Sequence, residues 1–115
     1  MNVTGSYEAQ VGGNTLKLVL LESGTTEAYF NDEKGAAVEK WSVKDGEVHS
    51  VFEGIEPPPP ELRSPEYRHI EVPPPYNCSN IYRCESNGDL TLIAIVGVFG
   101  QRSDAPQQIT YKKIK

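Results

Sequence analysis

The sequence predicts an all-β fold, an antiparallel up-and-down meander of about eight to nine strands curled around one core. Three observations carry this. Turn signals recur at short intervals, at Gly12-Gly13-Asn14, Ser23-Gly24, Asn31-Asp32 before Gly35, Asp45-Gly46 and Asn87-Gly88-Asp89. The segments between them are short and rich in Val, Leu, Ile, Thr, Tyr and Phe, and none sustains the three-and-four apolar spacing of a helix. Side chains also alternate, with apolar residues on one face and charged residues on the other.

Taken in order, the strands are expected at 5–11, 14–22, 25–31, 37–44, 47–53, 66–72, 80–86, 89–98 and 107–114. Alternation assigns Leu16, Leu18 and Leu20, then Ala28 and Phe30, Trp41 and Val43, Val48 and Phe52, and Ile109 and Tyr111 to the dry face. Lys17, Glu27, Lys40, Lys44, Glu47, His49 and Lys112 fall on the wet face. The run Leu90 to Phe99 departs from this pattern because both of its faces are apolar, so something must cover the outer one. Either the proline-rich segment folds across it or a second copy packs there, and the intrachain cover is the favoured reading.

That proline-rich surface segment spans 56–76, with Pro57–Pro60, Ser64-Pro65 and Pro73–Pro75. Proline has no amide donor, so these runs are expected as extended surface stretches flanking an edge strand at 66–72, where they would block sheet-to-sheet association. Pro73-Pro74-Pro75-Tyr76 matches the short form that WW domains bind, but its place between strands favours structural use.

At 115 residues the chain, 1–115, is read as one domain around one core. Sixteen acidic against eleven basic side chains give a net charge of −5, which argues against a nucleic-acid partner, since a polyanion must be neutralised by Lys and Arg. No apolar run approaches the length of a membrane-crossing helix, and no direct membrane span is expected. No cleavable signal is expected ahead of the first strand. Met1 runs straight into a strand-like segment, as in a chain that starts at a signal or lipoprotein-anchor junction.

Cys78 and Cys84 stand six residues apart. In one continuous strand they would be roughly 20 Å apart, beyond disulfide reach, whereas a turn at Asn77 or Ser79-Asn80 would permit a bridge. No metal or cofactor is expected, because the pair lacks the two-residue spacing of a zinc knuckle and only His49 and His69 are available to complete a site. Each histidine sits among charged residues with no nucleophile at a diagnostic spacing. Glu53, Glu56 and Glu61 gather near the prolines without an apolar pocket to shift one of them. The expectation is therefore a protein that is not an enzyme. Asn2 and Asn77 head formal glycosylation acceptors, which matter only in a secretory context.

Gly5-Ser6-Tyr7 opening the first strand, the run of hairpins through Trp41-x-Val43-x-Asp45-Gly46, and the closing Arg102 and Tyr111-Lys112-Lys113 resemble small lipocalin-like barrel domains of bacterial envelope proteins. The resemblance implies a small, complete or incomplete, up-and-down barrel in a periplasmic or envelope setting. Tyr7 then stands where the family has Trp, and Arg102 is the candidate side chain to close the barrel bottom across it. A binding or accessory domain follows, with a small apolar molecule held by Leu18, Leu20, Phe30, Trp41, Val43, Phe52, Leu92 and Tyr111, unless these residues simply fill the core. The alternative is a protein-interaction module that works through strand 90–99, by self-association or a partner, or through the proline-rich segment 56–76.

Overall fold

The structure, a computed structural model, describes residues 3–35, 39–53, 57–74 and 76–114. Among the described residues nine antiparallel strands form: β1 (Gly5–Val11), β2 (Asn14–Leu20), β3 (Thr25–Phe30), β4 (Glu33–Lys34), β5 (Glu39–Lys44), β6 (Glu47–Glu53), β7 (Asn77–Cys84), β8 (Leu90–Val96) and β9 (Arg102–Lys113). Eight of them close into a barrel in the order β1-β2-β3-β5-β6-β7-β8-β9, and β4 is a short addition to β3. No α-helix occurs among the described residues, only two 3-10 turns at Pro60–Leu62 and Pro65–Tyr67.

Local chemistry sets the hairpins. Gly12 and Gly13, Asn31 and Asp32, and Asp45 and Gly46 all have positive φ. Each pair forms the two-residue turn whose twist matches the flanking strands, and Gly, Asn and Asp are the residues that tolerate that backbone. These turns fix the register, with Tyr7 opposite Leu18, Leu18 opposite Ala28, and Val48 opposite Val43 and Tyr82. The inward positions of neighbouring strands therefore coincide. Val3, Tyr7, Ala9, Leu18, Leu20, Val48, Tyr82, Leu90 and Tyr111 form the buried core, with Leu16, Trp41, Cys84, Leu92 and Ile109 packed against it.

Closure of the ring rests on Tyr7 opposite Lys113 and Glu8 opposite Lys112, extended by the Ile114 amide donating to Ser6 O at 2.8 Å. Tyr7 is buried and its hydroxyl donates to Val3 O at 2.6 Å. The cation over its ring is Lys113, with Nζ 5.8 Å from the centroid. Arg102, expected there, lies elsewhere. It makes a two-pronged contact with Glu47, at 3.1 Å to Oε1 and 2.9 Å to Oε2. The reason is a break in the β8–β9 ladder, where Ile93 on one strand faces the unpaired stretch Ala105–Gln108 on the other. The start of β9 is therefore out of line with its end. Pro106, which could not donate to a ladder, falls inside this break.

The expected edge strand at 66–72 is not a strand. A closed ring leaves no free edge for it to occupy, and the prolines, tied by the Tyr67 amide to Ser64 O at 2.9 Å, turn the chain instead. Arg63 organises this segment by donating to three carbonyls, Pro58 at 2.6 Å, Ile70 at 2.8 Å and Tyr67 at 3.2 Å. Tyr67 stacks on Phe99 with ring centroids 4.8 Å apart, and the Arg63 guanidinium lies 5.3 Å from the same ring. The proline-rich segment thus packs on the far end of the apolar run 90–99. Ile81 and Ala94, paired on the face opposite to Tyr82, are buried as well. Glu56 and Pro75 lie outside the described residues, while Tyr76 is half-buried.

Cys78 and Cys84 both belong to β7 with no reversal between them, and both are free thiols. Burial, and next the Glu85 carboxylate, push the Cys84 thiol up.

Candidate functional site

The inward faces of β2, β3, β5, β7 and β9 do not fill the barrel completely. A cavity of about 260 Å³ remains, walled by Leu16, Leu18, Ala28 and Phe30 on one side and by Asn80, Tyr82, Tyr111 and Glu39 on the other. Glu33 and Gly35 also border it, and Phe30, 54 % exposed, marks its mouth. At about 30 Å³ per water molecule, the space equals roughly nine waters. This is near the lower limit of known ligand pockets, and the mix of apolar wall and few polar groups is typical of them.

The polar groups are held by a buried chain of hydroxyls. Thr26, opposite Glu39, and Ser50, opposite Trp41, both point inward. Ser50 Oγ lies 3.1 Å from Thr26 Oγ1 and 3.1 Å from Glu39 Oε1. A hydroxyl has one proton to give, so Ser50 can donate to the carboxyl while accepting from Thr26. Glu39 is only 7 % exposed, and burial raises its pKa against the smaller opposing effect of the Ser50 hydrogen bond. Tyr82 and Tyr111 meet edge to face, with centroids 5.9 Å apart at 82°. Both phenols are raised, Tyr82 by burial and then by Tyr111 and Glu39, Tyr111 by burial and then by Glu39. At neutral pH both keep their protons and can donate as well as accept.

The expected interior residues divide into groups. Leu18, Phe30 and Tyr111 line the cavity. Leu20 is fully buried, and Leu92 packs against the core. Trp41 also packs there and donates its indole N–H to Leu21 O at 2.9 Å. Phe52 is half-buried outside the cavity lining. Val43 is not interior, because it sits at the rim beside the Asp45-Gly46 turn and is 41 % exposed. Glu39, Ser50, Thr26 and Tyr82 are the site residues that sequence reasoning missed. The signal for three of them was present: Glu39 is in phase with Trp41 and Val43, Ser50 with Val48 and Phe52, and Thr26 with Ala28 and Phe30.

His49 Nε2 is 3.4 Å from Glu47 Oε1, and Arg102's hydrogen bonds hold the Glu47 carboxyl below its usual range. His69, Glu53 and Glu61 are exposed. Among the described residues no three His, Cys, Asp or Glu side chains converge as metal ligands, and no helix is long and apolar enough to cross a membrane. A larger concavity of about 1000 Å³ runs between the arms of the proline-rich segment, past Arg68, His69, Val72 and Tyr76. It lies on a loop, whereas the barrel cavity, itself open at Phe30, joins buried polar groups to an apolar wall.

In comparisons with protein-family models, curated proteins and solved structures, nothing matches the chain.

Proposed function

We propose that the chain is a non-enzymatic, lipocalin-like binding domain of a bacterial envelope protein, holding one small and largely apolar molecule inside its barrel. The observation that carries the reading is the cavity of about 260 Å³ with one buried carboxyl and two phenols converging on it. A barrel this small can be filled by its own side chains, and here Ala28 leaves room where a larger residue would fill it. The envelope setting is supported by the likeness of layout alone.

Native mass spectrometry of freshly purified protein tests the reading, together with titration of benzyl alcohol monitored by amide shifts. A retained mass that leaves on denaturation, or shifts confined to the cavity walls and lost in Ala28→Phe, is the expected result. A bare protein whose cavity walls respond to none of benzyl alcohol, benzylamine and benzoate at millimolar concentration would sink it.

The reading as an interaction module keeps one observation in its favour. Leu62, 75 % exposed, and Ile70, 40 % exposed, present apolar side chains on the proline-rich segment. Its self-association form requires a dimer that Ile95→Lys or Val96→Lys dissociates, so a monomer at high protein concentration removes that form.

A further inference from the structure

We propose that the ligand of the barrel cavity carries a protonated amine, seated on Glu39, with a single-ring apolar body lying against Leu18 and Phe30. This deepens the binding reading above and rests on it.

Three observations lead to a cation. First, Glu39 is the carboxyl inside the barrel, and among the described residues its hydrogen-bonding partner is the uncharged Ser50 hydroxyl; no Lys, Arg or His makes an ion pair with it. A carboxylate taken out of water needs an opposite charge or it takes up a proton, and burial holds this one above its ordinary range. A buried, perturbed acid in a cleft is a candidate for function on physical grounds. Second, the groups facing it suit a cation. Tyr82 and Tyr111 offer hydroxyl oxygens as acceptors and ring faces, and Phe30 adds a further ring at the mouth. Third, Lys17, the base on the cavity border, has its Nζ 5.7 Å from the Tyr29 ring, which borders the cavity as well, and makes no ion pair with Glu39. Glu33, the other charge on the border, is acidic and also favours entry of a cation. An acid of the same shape would meet Glu39 at close range in a poorly screened interior.

Volume then limits the body. Space for roughly nine waters accommodates one ring and a short arm inside the cavity. Benzylamine, benzyl alcohol and benzoate are thus suitable probes, equal in size and carrying positive, zero and negative charge.

The test is calorimetric titration of each probe into the native protein at pH 7.5, with amide shifts to locate it. Benzylamine should bind at least tenfold tighter than benzyl alcohol, and benzoate weakest. Glu39→Gln should lower the benzylamine affinity to that of benzyl alcohol. If the amine and the alcohol bind alike to the native protein, or benzoate binds best, the assignment of an amine is overturned while the binding barrel stands. If none of the three perturbs the cavity walls at millimolar concentration, the binding reading itself fails and the assignment falls with it. Should Glu39→Gln not fold, the charge series on the native protein decides alone.

Discussion

Replacing Tyr7 by Phe removes one oxygen from the barrel interior and leaves the ring in place under Lys113. The lost group is the donor to Val3 O at 2.6 Å. A buried carbonyl deprived of its partner costs about 1–2 kcal/mol. Unfolding entropy of about 2.1 cal/mol/K per residue over the 115-residue chain gives about 240 cal/mol/K, so the melting temperature should fall by about 4–8 °C at pH 7. The difference should then change with pH. Burial, followed by Cys84 and Asp89, pushes the Tyr7 phenol up from 10.0 to about 12. A raised folded-state pKa gives a stabilisation that is complete below pH 10 and is lost as the pH rises through about 12. By pH 11 the native protein should have lost about 1.4 kcal/mol through this group, and Tyr7→Phe none of it. The other tyrosines titrate in both proteins and cancel in the difference. Urea denaturation at pH 7, 10 and 11 measures the gap, which should narrow above pH 10. A gap that is constant across this range, or that widens, refutes the account of Tyr7 as a buried neutral donor.

Glu39→Gln keeps an acceptor for Ser50 and removes the charge. Because burial raises the Glu39 pKa above its ordinary 4.5, this carboxyl's contribution is full below that value and is lost as pH rises through the folded-state value. The variant should therefore exceed the native protein in urea midpoint at pH 8 and lose that advantage toward pH 4; a lower midpoint at pH 8 would count against the reading. Leu18→Ala, deep in the core beside the cavity, should cost about 2–5 kcal/mol, whereas Phe30→Ala at the exposed mouth should stay within about 1 kcal/mol. Thermal melts compare the two, and equal losses would contradict the assignment of core and mouth. Arg63→Ala removes the donor to Pro58, Tyr67 and Ile70, so amide exchange over 57–74 should quicken while the barrel strands keep their protection; unchanged exchange would deny Arg63 its organising role.

The strands that lie between two-residue turns were legible because Gly12-Gly13, Asn31-Asp32 and Asp45-Gly46 each dictate one turn geometry. The segment 66–72 was not, since its composition suits a strand but a closed ring offers it no partner, and closure is a property of the whole chain. Arg102 misled for a similar reason. Its expected place over Tyr7 assumes a straight β9, whereas the unpaired stretch Ala105–Gln108 turns the start of that strand toward Glu47. The cavity walls followed from alternation, but a list of apolar residues left out the polar ones sharing their phase. Glu39 was outside that list, and the pairing of β5 with β3 and β6 places it on the inward face.

The closing seam joins the first strand to the last, so it pairs residues about as far apart in sequence as the chain allows. Most other neighbours in the ring are joined by hairpins, which form early because little entropy is lost in closing short loops. Until the seam forms, the molecule is an open sheet, and β1 and β9 are both free edges that another chain could extend. The residues along those edges suit that interval. Lys112 and Lys113 on β9 and Glu8 on β1 place charge on both sides of the seam, and Pro106 interrupts the donors along the rest of β9. Charge and proline on an edge discourage a second copy from pairing there, so the seam that completes the barrel carries its own protection against misassembly while it is still open.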